Sequence, residues 1–230
     1  MTYCHMTVCH ITRKERKMPK QTFLNLPQEK QRRLLKAGFE EFSRVPAIDA
    51  SISNIIKLAE IPRGSFYQYF EDKYDLQAYL VMQFSQKWYQ TWCQLLQEHQ
   101  GDFFAAVPLL FKDILDMMQD EKNHAFWKNT FFQFRNSKEM RKALHQQRRS
   151  KHGDDRELIN QQKLRIELTE HNYILLNRQV TTMMIQSISM YFMADRFNVD
   201  DPYQEAIQNF DTLLNWLQFG IQAEGGNADD

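Results

Sequence analysis

Between Asp72 and His99 the chain runs without a glycine or a proline, and Leu76, Tyr79, Leu80, Phe84, Trp88, Leu95 and Leu96 recur at helical spacing. This predicts one helix of about 25 residues, roughly 40 Å long, too long for a small first unit and reaching out of it. Breakers are scarce elsewhere too. Gly 7 and Pro 6 in 230 residues is about half the usual share, which disfavours a sandwich, a barrel or a doubly wound sheet, all of which need turn residues at short intervals. With 43% hydrophobic and 13% aromatic residues, a packed all-α interior is expected rather than a disordered chain.

The formal charges cancel, with Lys+Arg 29 against Asp+Glu 29, so the whole chain is no indiscriminate polycation. Their placement is uneven. Residues 1–76 hold 13 basic and 9 acidic side chains, a net of +4, which leaves −4 for the remainder. No stretch approaches the roughly 20 apolar residues of a membrane span, and three cysteines make no disulfide framework, so a cytoplasmic protein with no membrane partner is expected. Cys4-His5 and Cys9-His10 match no standard zinc spacing, so no metal or other cofactor is expected. Residues 1–22 read as a disordered leader, with Met18 an alternative start, and residues 223–230 as a disordered tail.

Before the long helix the apolar pattern predicts three short ones. Leu34, Leu35, Gly38, Phe39 and Phe42 mark a helix over 28–44 that Pro46 stops. Ser51 is a natural N-cap for a second, in which Ile52, Ile55, Ile56 and Ala59 share one face. Pro62 then forces a tight connection to a third helix, whose Phe66 and Phe70 point inward. Asp72 caps the long fourth helix, with Asp75 as the capping-box acid.

A helix, a short turn and a second helix are the geometry by which a helix enters a DNA major groove. The outward residues of the third helix, Arg63, Ser65, Tyr67, Gln68 and Tyr69, carry the hydrogen-bonding groups that read base edges and phosphates. Gly64 in its first turn fits a backbone that must closely approach something bulky. Ser51 and Ser53 would add hydroxyls and free amides for a phosphate, and Lys73 a positive charge. The runs Ser53-Asn54-Ile55-Ile56-Lys57-Leu58-Ala59, Ile61 to Phe70 and Lys73-Tyr74-Asp75-Leu76 resemble the DNA-binding domain of TetR/AcrR transcriptional regulators, over about residues 28–76. The resemblance implies an all-helical homodimer whose third helix is the recognition helix, with Gly64, Ser65, Tyr67, Gln68, Tyr69 and Lys73 at DNA-contacting positions. Glu60 departs from the glycine many relatives carry at the turn; a left-handed backbone there would cost on the order of 1 kcal/mol.

Residues 77–222 are expected to form a ligand-binding and dimerisation domain behind a DNA-binding domain at 23–76. Apolar runs predict helices at about 103–119, 123–135, 138–150, 156–170, 173–197 and 202–219. Aromatic residues on several faces near 126–134 point to burial on more than one side or to an apolar cavity. The resemblance implies an effector pocket in this bundle, and Phe103, Phe104, Trp127, Phe131, Met183 and Met184 are the candidates to line it around a lipophilic or aromatic small molecule. It also implies that the last two helices dimerise, with Met190, Met193, Leu213, Trp216 and Leu217 at the interface. No nucleophile with its base, phosphate loop or paired catalytic carboxylates is apparent, so no enzyme is expected. A dimeric, effector-released repressor on a palindromic operator is the leading expectation. A protein adaptor or coactivator of the same fold, without direct DNA contact, is the alternative.

Overall fold

The structure, a computed structural model, describes residues 19–136 and 155–221; the Cys-His pairs, the helix expected at 138–150 and the tail lie outside them. The described residues form an all-α chain: α1 (Gln21–Leu24), α2 (Gln28–Arg44), α3 (Ile52–Ala59), α4 (Arg63–Tyr69), α5 (Lys73–Glu98), α6 (Phe103–Gln119), α7 (Glu121–Asn136), α8 (Glu170–Phe197) and α9 (Pro202–Phe219). No helix among them is long and apolar enough to cross a membrane.

The first four helices and the start of α5 make a small head. Leu34 and Phe42 of α2, Ile55 of α3, Phe66 of α4 and Leu76 of α5 are all essentially buried. Gly38 lets α2 and α5 cross closely, since a Cβ there would lie 2.7 Å from Leu76 Cδ2. The leader expected at 1–22 needs correction at its end. Pro19 is buried, α1 begins at Gln21, and Phe23 sits in the core with its ring 5.0 Å from that of Phe70 and 5.5 Å from Tyr79. Its aromatic partners lie far along the chain, so local periodicity does not reveal this role.

One buried carboxylate ties α2 to α3. Glu41 is 2% exposed and accepts from Arg44 Nε at 2.9 Å and Nη2 at 2.8 Å, from the Ser51 amide at 2.7 Å and from Asn54 Nδ2 at 3.3 Å. The Ser51 hydroxyl makes no cap, although Ser51 occupies the N-cap position. Glu41, ten residues upstream, accepts instead from the amide of Ser51 itself, the part a capping-box acid plays. The Arg44 hydrogen bonds hold the Glu41 carboxyl below the usual value of 4.5 against the opposing effect of burial, with the Ser51 amide and Asn54 assisting.

Helix α5 carries the chain into the bundle, where Trp92 and Leu96 are buried. α7 folds back on the head: Phe126 stacks on Phe39 of α2 with centroids 4.6 Å apart, and Asn129 Nδ2 donates to the carbonyls of Phe42 and Ser43 at 3.0 and 2.9 Å. Those two bonds satisfy last-turn carbonyls that α2 leaves without intrahelical partners. The helix expected over 156–170 is instead two 3-10 turns, Asp155–Leu158 and Gln161–Lys163, followed by irregular chain. Tertiary bonds compete with helix there. Asn160 donates its amide to the Gly101 carbonyl at 2.9 Å, Trp92 Nε1 donates to Asp155 at 2.8 Å, and Lys163 pairs with Asp102 at 3.0 Å. Gly101 has φ +74°, and a Cβ on it would lie 2.6 Å from Asn160 N and Leu158 O.

Two stability tests follow from these contacts. Glu41→Gln should destabilise the protein by about 2 kcal/mol at neutral pH, the scale of charge-assisted hydrogen bonds. Because the folded pKa of Glu41 is depressed, its contribution is present above about 4.5 and lost as the pH falls through the lower folded value. Chemical denaturation at pH 7, 5 and 3 should therefore show a smaller acid-induced loss in Glu41→Gln than in the native chain. Gly101→Ala, strained in backbone and crowded against the 158–160 segment, should lose about 2 kcal/mol in the same assay.

Candidate nucleic-acid interface

The α3–α4 pair owes its geometry to a left-handed residue. Glu60 adopts φ 52° and ψ 48°, and the Ile61 amide reaches back to the Ile56 carbonyl at 3.1 Å, closing α3 in the manner of a Schellman turn. The departure noted in the sequence is thus a non-glycine residue in a conformation that favours glycine. Its carboxylate does not stand alone, since Glu60 Oε2 pairs with Arg33 Nη1 of α2 at 2.9 Å.

Pro62 precedes α4 in extended geometry, and the helix then runs only seven residues. Phe66 and Phe70 are buried under it. Arg63, Gly64, Tyr67 and Gln68 are exposed on the opposite side, as expected. The Arg63 guanidinium lies 5.9 Å from the centroid of the Tyr67 ring and donates to Ser53 Oγ at 3.1 Å, so α3 and α4 present a joined polar surface. Among the described residues, no atom beyond its chain neighbours and the backbone of its own helix comes within 4 Å of a Cβ built on Gly64. Folding does not require glycine at that place.

The other candidate positions are more constrained than their residue types imply. Ser65 and Tyr69 are half-buried, and the Tyr69 ring meets Phe23 edge-on at 6.2 Å, so Tyr69 does not project freely as expected. The cause is the α1 segment, which covers that flank of α4. The Ser51 amide, expected to be free for a phosphate, is taken by Glu41, while the Ser53 side chain remains exposed. Lys73 Nζ donates to the carbonyls of Ile48 and Ala50 at 2.6 and 2.9 Å, and lies 5.6 Å from the centroid of Tyr74. Two of its three N–H groups are thereby engaged.

The end of α4 is held by residues absent from the sequence-based assignment. The Lys20 amide donates to the Tyr69 carbonyl at 3.1 Å, Lys20 Nζ to the Tyr67 carbonyl at 2.8 Å, and the Thr22 hydroxyl to the Gln68 carbonyl. Three consecutive carbonyls that the helix cannot satisfy itself thereby find donors. Only a helix end brought against a distant segment reveals this arrangement.

In the bundle, the candidate pocket residues fall into three aromatic neighbourhoods. Phe103 packs on Phe104 and on Trp92 near the end of α5. Trp127 sits among Phe84, Trp88 and Phe126, and its indole N–H donates to Met117 Sδ at 3.2 Å. Phe131 meets Phe192 of α8 at 5.5 Å, while Met183 is buried and Met184 half-buried in the same core. The outer side of α8 and α9 is different. Met190, Trp216 and Leu217 are exposed, with Met193 and Leu213 half-exposed, and an open groove of about 480 Å³ runs past Ile185, Met190, Met193 and Phe197.

Comparison with known proteins places these features. Residues 34–80 match the profile of "Bacterial regulatory proteins, tetR family", and residues 102–221, more than half the chain, match "Tetracyclin repressor-like, C-terminal domain". A similar protein is the uncharacterized HTH-type transcriptional regulator YdgC of Bacillus subtilis (strain 168), 32% identical over 119 residues; the aligned region covers 50% of this chain and 60% of that relative's length. Among solved structures, the transcriptional regulator FadR from Bacillus subtilis in complex with stearoyl-CoA aligns with TM-score 0.56 at 17% identity, over 83% of this chain and 99% of that one. Reduced NemR of E. coli aligns with TM-score 0.53 at 17% identity, over 81% and 96%. These two likenesses concern the fold. The profiles cover both the helix-turn-helix head and the bundle, and TetR-family regulators are non-enzymatic DNA-binding proteins. The chain belongs to the TetR family of transcriptional regulators.

Proposed function

We propose that two copies of this chain hold one palindromic operator, each with α4 in a major groove, and that an apolar effector in the bundle releases them. The observation that carries the DNA half of this reading is the surface of α4. Arg63, Tyr67 and Gln68 stand exposed together beside a glycine that the protein's own packing does not need. Arg63 and Gln68 suit base edges, Gly64 leaves room for a phosphate, and Ser53 and the remaining N–H of Lys73 add donors at the border of the groove. Ser51, Ser65 and Tyr69, half-buried, act here by shaping that surface.

The exposed apolar residues of α8 and α9, Met190, Trp216 and Leu217 among them, supply the surface for a two-fold four-helix contact. Such a pairing would set the separation of two recognition helices, which needs to be about 34–36 Å for successive major grooves. The effector half rests on α7. That helix carries Trp127 and Phe131 toward the bundle interior, and Phe126 and Asn129 onto α2 of the head. A ligand that parts the Trp127 and Phe131 neighbourhoods, with Phe103, Phe104, Met183 and Met184 as further walls, moves α7 and so the head. It loosens operator binding to the extent that it prefers the displaced state. The likeness to FadR, seen with stearoyl-CoA, makes long-chain acyl-CoA the first effector class to test. Repression fits this sign of control.

The deciding experiment is a salt-titrated binding assay on the promoter region of the protein's own gene against random duplex. Preference for that fragment supports the reading; equal affinity for both, or none, favours the adaptor alternative. Combined Arg63→Ala and Gln68→Ala should weaken promoter binding by about 100-fold or more while leaving the fold intact. Gly64→Ala should raise stability by up to about 1 kcal/mol, because a helical glycine without packing need is replaced by alanine, and yet weaken promoter binding. Met190→Glu with Trp216→Glu should turn a dimer into a monomer in sedimentation analysis.

A further inference from the structure

The turn that aims α4 carries an acid at a position where glycine would meet no steric cost. Glu60 holds its left-handed backbone at φ 52°, and its side chain pairs with Arg33 of α2. The bond is a single one, from Arg33 Nη1 to Glu60 Oε2 at 2.9 Å. A guanidinium has five N–H donors. Among the described residues Glu60 is the one acceptor Arg33 meets, and Arg33 Nε is buried without any. The pair is open to water, with side chains 40% and 74% exposed. Ion pairs so exposed are weak, and a stronger acceptor can take the cation from its partner.

A phosphate comes within range of that pair when α4 lies in a major groove. Glu60 precedes Arg63, the first residue of α4, by three positions, at most about 11 Å of chain. The groove is about 12 Å wide and a helix with its side chains fills about 10–12 Å, so a strand of phosphates runs beside Arg63 at the same range. Arginine suits such a partner, because its planar fork can engage two phosphate oxygens at once, whereas Glu60 takes one N–H. Cations are not in surplus here. Residues 21–76 hold eight Lys and Arg against eight Asp and Glu, and sequence-independent affinity for duplex grows with each phosphate that a cation neutralises. We infer that Arg33 is a phosphate-binding residue restrained by Glu60: the carboxylate of the α3–α4 turn competes with the DNA backbone for the guanidinium and so lowers the affinity of each head. The inference rests on the DNA-binding reading above. It adds that affinity is set at the turn as well as on the exposed face of α4.

The test is a double-mutant cycle of full-length proteins, native, Glu60→Gln, Arg33→Gln and the pair combined, on the promoter fragment and on random duplex over a range of salt concentrations. Thermal unfolding of the four checks that each remains folded. Glu60→Gln frees Arg33, and should tighten binding about tenfold near 0.1 M salt and steepen the plot of log affinity against log salt by about 0.9 per protomer. In the Arg33→Gln background the same substitution removes only a repelling carboxylate, and should tighten binding by about threefold at most, with little change of slope. Equal gains in the two backgrounds, or no gain from Glu60→Gln alone, overturn the inference. Equal native affinity for promoter and random duplex overturns the operator reading instead, and the cycle on random duplex still decides the restraint. A native protein that binds neither overturns both.

Discussion

Seven residues are too few to make a stable helix in water, because nucleation is unfavourable and most of the backbone groups of so short a helix lie in its two unsatisfied ends. The interface depends on α4 being helical nonetheless. Burial of Phe66 and Phe70 holds one side of it. Lys20 and Thr22 hold its last carbonyls, Pro62 sets its entry, and the left-handed Glu60 sets its angle to α3. None of these contacts lies on the exposed face. That separation leaves Arg63, Tyr67 and Gln68 for an external partner.

The same economy recurs in the rest of the head. Glu41 gathers the start of α3, the end of α2 and Asn54 around one buried carboxylate, satisfied by enough donors to remain charged. A buried acid of this kind is rare unless paired, and here it accepts the Ser51 amide as a capping-box acid would, while the Ser51 hydroxyl makes no cap. Asn129 serves the same last turn of α2, but from the bundle. The head is thus bonded to α7 through the last turn of α2 as well as through the Phe39–Phe126 stack.

Helix positions from α2 to α7, and those of the last two helices, were largely legible from apolar spacing, because each buries one continuous stripe and stops at a proline, a glycine or a cap. The inward roles of Phe66 and Phe70, the exposure of Arg63 and Gln68, and the Asp72 cap were readable for the same reason: they depend on neighbours within a turn or two. Tyr69 was not, because its cover comes from Phe23, forty-six residues upstream. The stretch expected as helix over 156–170 forms 3-10 turns instead, because its competing bonds, to Gly101, Trp92 and Asp102, cross more than fifty residues.

Sequence alone therefore determined the helical class, the helix-turn-helix unit and the residue types on its outer face, since all of these follow from local propensity and from spacing along one helix. Tertiary structure decided which of those residues are free. It committed the Ser51 amide to Glu41, drew Lys73 onto two loop carbonyls, half-buried Tyr69 and moored Lys20 at the end of α4. A hydrogen-bonding group is satisfied by whatever packing brings within about 3 Å, and distance along the chain does not encode that proximity.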